Sequence, residues 1–138
     1  MMLLTTDLRA ALRANALARA DAIRSGAPEP DPAPLVKFFN PLGAATWLAT
    51  ELDGDDDTLF GLADLGFGCP ELGSFSLSEI AAVRLAFGLA IERDLASISD
   101  VPLSVWANTA RRNGSIINGE AALRERCVAP PEPFPPPP

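Results

Sequence analysis

Histidine and tyrosine are absent from this chain of 138 residues, and cysteine occurs only twice. Without histidine the usual general base is missing. So are Ser-His and Cys-His nucleophile pairs and most zinc sites. Cys69 and Cys127 stand far apart, in no metal-type spacing, and imply no disulfide framework, so a reducing cytosol is the expected setting. No apolar run reaches the ~20 residues a membrane span needs, and the first residues, MMLLTTDLRAAL, lack the charged leader and apolar centre of a signal peptide. These absences point to a soluble cytoplasmic protein with no membrane contact. Positive charge is scarce as well. Eleven basic residues face eighteen acidic ones, a net of −7, and Lys37 is the one basic residue that is not arginine. Direct nucleic-acid binding is not expected of such a balance, because phosphate backbones are held by local positive charge. The stretch Gly61–Gly68 has no Lys-Ser/Thr pair and opens no helix, so it is not a phosphate loop. No cofactor is expected.

What is present reads as one α+β domain over residues 1–127 and a proline-rich tail over 128–138. Hydrophobic residues make up 48% of the chain, enough for a globular core. Between Leu35 and Glu79 short apolar runs alternate with turn residues, the pattern of consecutive antiparallel strands. We expect strands at Leu35–Phe39, Ala45–Asp53, Thr58–Phe67 and Glu71–Phe75, with Leu89–Leu95 as a fifth or an edge segment. Gly61 and Gly66 interrupt the third and suggest a bulge or a close backbone approach. Trp47, Phe38 or Phe39, Phe60, Phe67 and Phe75 supply the expected core bulk. The small antiparallel sheet of four to five strands packs against an N-terminal helix and a second helix after the fourth strand.

The N-terminal helix spans Thr6–Ser25, capped by Thr5 or Thr6 and stopped at Gly26. Its apolar stripe is Leu8, Leu12, Ala16, Ala20 and Ile23. Ala27–Pro34, rich in proline, reads as an extended linker without chemistry. Ser76 and Glu79 form a capping box for a helix running from Leu77 toward Phe87. A short helix from Pro102 to Arg112, a turn at Asn113-Gly114 and a last helix over Glu120–Cys127 complete the order. The tail, APPEPFPPPP, reads as dispensable, although its PxxP spacing suits an aromatic groove.

Carboxylates and arginines remain as candidate chemistry. From Phe38 to Val83 there is no basic residue but eight acidic ones. Six of these, Glu51, Asp53, Asp55, Asp56, Asp57 and Asp64, are expected to form one negative surface on the second hairpin, suited to a basic partner protein. The plainer reading is a solvated acidic turn whose charges contribute little to stability. Asp53, Asp55, Asp57 and Asp64 superficially match a calcium loop, but Thr58 stands where that loop needs glycine and the flanks read as strands. An enzyme using Glu71, Glu92 and Asp94 is the alternative. An acidic DNA mimic acting on a host DNA-binding protein is a third reading.

The ordered series VKFFNP, TWLATELD, LFGLADLG, ELGSFSLSEI and GLAIERDL resembles a bacterial family known as domain of unknown function 2958. The resemblance covers roughly Leu3 to Leu95. Trp47, Glu71, Gly73, Ser76, Leu77, Glu79, Arg84, Gly88, Glu92, Arg93 and Asp94 fall on its pattern. The chain departs from it at Leu85-Ala86 and at Ala90. The family carries no established activity. Its members are typically borne by plasmids and integrative elements, so the resemblance implies the context of a mobile element, while the acidic run suggests a basic partner encoded by the host or by the element.

Overall fold

The computed structural model describes residues 3–94 and 100–128. The proline-rich tail from Ala129 onward lies outside these residues, as does the Leu95 end of the expected fifth strand. Helix α1 covers Thr6–Ser25 and is followed by strands β1 (Val36–Phe39), β2 (Thr46–Leu52), β3 (Thr58–Asp64) and β4 (Glu71–Ser76). A short helix α2 (Leu77–Ala82), a 3-10 turn (Ala86–Gly88), strand β5 (Glu92–Arg93) and helices α3 (Leu103–Asn113) and α4 (Ile116–Val128) complete the order. The strands form one antiparallel sheet in the order β4-β3-β2-β1-β5.

Both faces of this sheet are covered. On one, Leu12 of α1 and Leu77 and Ile80 of α2 pack with Phe38, Trp47, Ala49, Leu52 and Leu59. Leu3 and Leu4, ahead of the helix, are buried in the same core. On the other, Leu48 and Leu62 meet Leu103, Trp106, Ala107 and Ala110 of α3 and Ile116 and Leu123 of α4. Strand alternation sends successive side chains to opposite faces, which is why β2 is buried along nearly its whole length. The α+β expectation holds, and the C-terminal helix pair adds a third layer.

Local chemistry fixes the boundaries. Thr5 Oγ1 accepts from the Leu8 amide at 3.1 Å and starts α1, and Gly26 at φ 72° ends it. The twenty residues of α1 span ~30 Å at 1.5 Å per residue, longer than any strand beneath them. Ala20 and Ile23, expected in the buried stripe, are exposed and line an open groove with Thr58 and Phe60 of β3 and Ser74 of β4. Asn15 Nδ2 anchors the middle of the helix on the Thr50 carbonyl at 2.9 Å.

β2 carries a bulge between Ala49 and Glu51, opposite Gly61 and Phe60. The bulged backbone presses on Gly61, where an added Cβ would stand 1.8 Å from the Leu48 carbonyl oxygen. Glycine is the one residue that admits this approach. The expectation of a bulge or close contact at Gly61 is met there.

Several expected boundaries are corrected. β3 stops at Asp64, not Phe67, because the Asp64 carboxyl bonds the Gly66 amide at 2.9 Å and Gly66 turns at φ 92°. Phe67 is consequently 83% exposed and is no part of the core. α2 ends at Ala82, where Val83 takes extended geometry. Arg84 closes it by donating to the Ala81 and Val83 carbonyls at 3.0 and 3.2 Å, as a cation at a helix C-terminus does. Phe87, the expected end of that helix, sits at φ 62° in the 3-10 turn and is 92% exposed. The fifth strand contracts to Glu92–Arg93. α4 begins at Ile116, four residues before Glu120, because Ser115 Oγ accepts from the Asn118 amide at 3.0 Å and caps an earlier turn.

Gly61→Ala is expected to lower stability by roughly 1–3 kcal/mol or more, as overpacking against fixed backbone does. Gly73→Ala, where a Cβ meets nothing within 4 Å, should leave the melting temperature unchanged or slightly higher. Thermal unfolding of the two variants side by side checks this contrast.

Candidate functional site

The hairpin between β2 and β3 is built by its own aspartates. Asp55 Oδ1 accepts from the amides of Asp57 and Thr58 at 2.9 and 2.8 Å, and its Oδ2 from the Thr58 hydroxyl at 2.5 Å. Asp53 Oδ1 accepts from the Gly54 amide at 2.8 Å. Asp56 adopts φ 62°, a conformation that aspartate tolerates better than most residues. Asp57 reaches across to the next element: its Oδ1 accepts from the Ser78 amide at 2.8 Å and its Oδ2 from the Ser76 hydroxyl at 2.7 Å. Ser76 Oγ in turn accepts from the Glu79 amide at 3.2 Å. The cap of α2 expected from Ser76 is present, and Asp57 shares it.

These bonds hold the carboxylates in their charged forms. Asp55 titrates at about 2, first because the Thr58 hydroxyl and amide bond its anion. Asp57 is lowered too, chiefly by the Ser76 hydroxyl and then by the Ser78 amide. Glu51 moves the other way: burial raises it, and Arg19 opposes the rise.

The six acidic residues do not share one surface. Asp53, Asp55, Asp56 and Asp57 are exposed or half-exposed in the turn. Glu51 is half-buried against Arg19 at 3.4 Å. Asp64 is fully buried and is not part of a negative face. Its Oδ1 holds Gly66, and its Oδ2 accepts from the amide of Ile116, the first residue of α4, at 2.9 Å. It is therefore turned away from the other aspartates, and the four do not converge as a calcium loop would require. The turn is also less isolated from positive charge than the sequence run suggests. Arg9 of α1 bonds Asp56 at 2.8 Å, and the Arg13 guanidinium lies close to Gly54.

Glu71, Glu92 and Asp94 are not brought together. Glu71 lies on β4 and Glu92 on β5, at opposite edges of the sheet, four strand spacings or about 19 Å apart. Asp94 pairs with Lys37 at 3.5 Å, and Lys37 also meets Glu120 of α4 at 2.6 Å. Arg124 completes this chain of charges on Glu120 at 2.6 Å. Arg93 donates to the Leu3 carbonyl at 2.9 Å and pins the N-terminal segment. Of the other residues on the resemblance pattern, Trp47 is core, Glu79 lies in the first turn of α2 and Gly73 lies in β4.

One constellation was not foreseen from the sequence. Arg19, on the C-terminal half of α1, stands 4.7 Å over the Phe60 ring and bonds Glu29 at 3.0 Å as well as Glu51. The Glu29 bond leads in raising its pKa. Two open grooves of about 230 and 150 Å³ flank this residue, and Glu51 and Phe60 line both. The linker that reads as free of chemistry thus holds an ion pair, and Asp31 on it caps α3. Asp31 Oδ1 accepts from the Ser104 amide at 3.1 Å and its Oδ2 from the Ser104 hydroxyl. The signal in the sequence was weak: acidic residues between prolines, with partners 10 and 73 positions away.

The family model for a protein of unknown function, DUF2958, matches residues 3–117. The chain belongs to that family. The match runs beyond Leu95 and takes in all of α3, so the second face of the sheet is covered within the family's span. No curated protein and no solved structure matches the chain. Among the described residues no helix is long and apolar enough to cross a membrane.

The pH dependence of folding follows from the two lowered aspartates. A depressed carboxylate stabilises the fold above its unfolded value, here 3.8, and that stabilisation is lost as pH falls through the folded value. The melting temperature is therefore expected to fall between about pH 4 and pH 2. Asp57→Asn should flatten that decline, while Glu51→Gln should not, since a raised carboxylate contributes in the opposite sense. Thermal melts across this range check the signs.

Proposed function

We propose that the chain is an accessory protein of a mobile genetic element and acts as a non-enzymatic interaction module, binding a basic partner protein through the acidic β2–β3 turn and its surroundings. The mobile-element part rests on the family resemblance. The binding part rests on one observation: the turn groups four carboxylates that are exposed or half-exposed, and two of them, Asp55 and Asp57, are held in their ionised forms by hydroxyl and amide hydrogen bonds. A surface so held presents its charge without an ordering cost at the moment of binding. Negative charge of this kind acts mainly on the association rate and on partner choice. The separation of Glu71 from Glu92 favours this reading over a shared carboxylate site.

The test must remove charge without dismantling the turn, so Asp55 and Asp57 are left in place. The variant Asp53→Asn/Asp56→Asn keeps the shape of both side chains. Immobilised parent protein is expected to retain basic proteins from bacterial lysate at low salt and release them at high salt, and the variant should retain several-fold less. Retention that is indifferent to both salt and the substitutions overturns the reading. Displacement of the retained protein by duplex DNA would identify the acidic DNA-mimic form of it.

A further inference from the structure

We propose that the outer edge of β4 accepts an extended, basic segment of a partner protein as a sixth strand, with a large side chain of that segment lying over Gly73. This rests on the interaction reading above and names the place where the partner docks.

Among the described residues β4 is the terminal strand of the sheet and bonds β3 alone. An edge strand presents a row of unpaired amide and carbonyl groups and is a ready template for another chain. Proteins blunt such edges with short strands, lysine, proline or a covering element. The opposite edge follows that rule, since β5 is two residues long. β4 does not: it runs for six residues, ELGSFS, without lysine or proline, and Glu71, Leu72 and Ser74 are exposed.

Gly73 supplies a second observation. It lies in mid-strand opposite Gly61, where a side chain would ordinarily improve the sheet. Gly61 is required by the bulge of β2, but among the described residues nothing lies within 4 Å of a Cβ at Gly73, and its φ is not positive. The fold therefore gives no steric reason for glycine there. A bare edge glycine is the position that a bulky side chain on the adjoining strand covers. Leu72, 40% exposed, offers an apolar contact on the other face.

Charge selects the occupant. Glu71 stands at one end of the edge, and Asp57 bonds Ser76 at the other. Two copies pairing antiparallel through β4 would set each Glu71 beside the other's Asp57, so like charges would meet at both ends. A segment with lysine or arginine at its ends meets opposite charge at both.

The probe is a phage-displayed library of random twelve-residue peptides, selected on the full chain. Recovered peptides are expected to carry basic residues about an aromatic one. Binding of a synthetic copy should perturb the amide resonances of residues 71–76. Gly73→Val, and separately Leu72→Lys/Ser74→Lys, should each weaken it at least about tenfold, or ~1.4 kcal/mol, with melting temperatures maintained. Basic peptides that perturb only residues 53–57, or that bind both variants undiminished, overturn the edge proposal and leave the acidic-turn reading standing. Recovery of no basic peptide overturns both. Sedimentation showing a dimer that Leu72→Lys/Ser74→Lys dissolves makes a second copy the occupant and overturns the proposal.

Discussion

The first amides of a helix have no partner within the helix, and in this protein three helices borrow one from an aspartate outside them. Asp64, at the end of β3, takes the Ile116 amide of α4. Asp31, in the linker, takes the Ser104 amide of α3, and Asp57, in the β2–β3 turn, takes the Ser78 amide of α2. Each bond satisfies a donor and sets a carboxyl at the positive end of a helix dipole. Each also fixes a helix to a strand or linker remote in the chain. α3 and α4 pack on the sheet face opposite α1, so their register on it is set jointly by apolar contact and by two aspartates distant in the chain, Asp64 and Asp31. Asp64 matters most because it is wholly buried: without it the buried Ile116 amide would be left unbonded, at roughly 1–3 kcal/mol.

This use of aspartate divides the acidic run. Asp64 is interior, Asp57 is committed to α2, Asp56 faces Arg9, and Asp55 organises the turn. A hydrogen bond to a carboxylate does not remove its charge, so the field outside the turn persists while the groups lose their freedom. Asp55 and Asp57 do more than present charge, since their bonds are part of the hairpin and of the α2 cap. Their role in folding and any role in binding are therefore not separable by simple removal.

Local rules read much of this from the sequence. Thr5 and Gly26 at the ends of α1, Ser76 ahead of α2 and the turn at Asn113-Gly114 each declare themselves within four residues. The antiparallel order follows from short runs separated by turns. Contacts across long separations were not legible. Asp64 and Ile116 are 52 residues apart, and an aspartate in an apolar strand looks like surface until its partner is known. Phe67 and Phe87 look like core for the converse reason: hydrophobicity identifies a candidate for burial, but backbone geometry at Gly66 and at Phe87 itself turns both outward. The Arg19 junction was hidden because its partners Glu29 and Glu51 lie 10 and 32 residues away in the chain.

The two sheet edges show how charge and shape act together. β5 protects its edge by brevity. Among the described residues β4 has no such protection, and an open strand of this length exposes a protein to pairing with its own copies. The charges at its ends oppose that pairing, since an antiparallel copy would bring Glu71 onto the Asp57 end of its neighbour. The same charges favour an incoming strand of the opposite sign. On the edge proposal, one arrangement of carboxylates would disfavour a second copy and favour a basic partner, and specificity of this kind arises as much from repulsion of the wrong strand as from attraction of the right one.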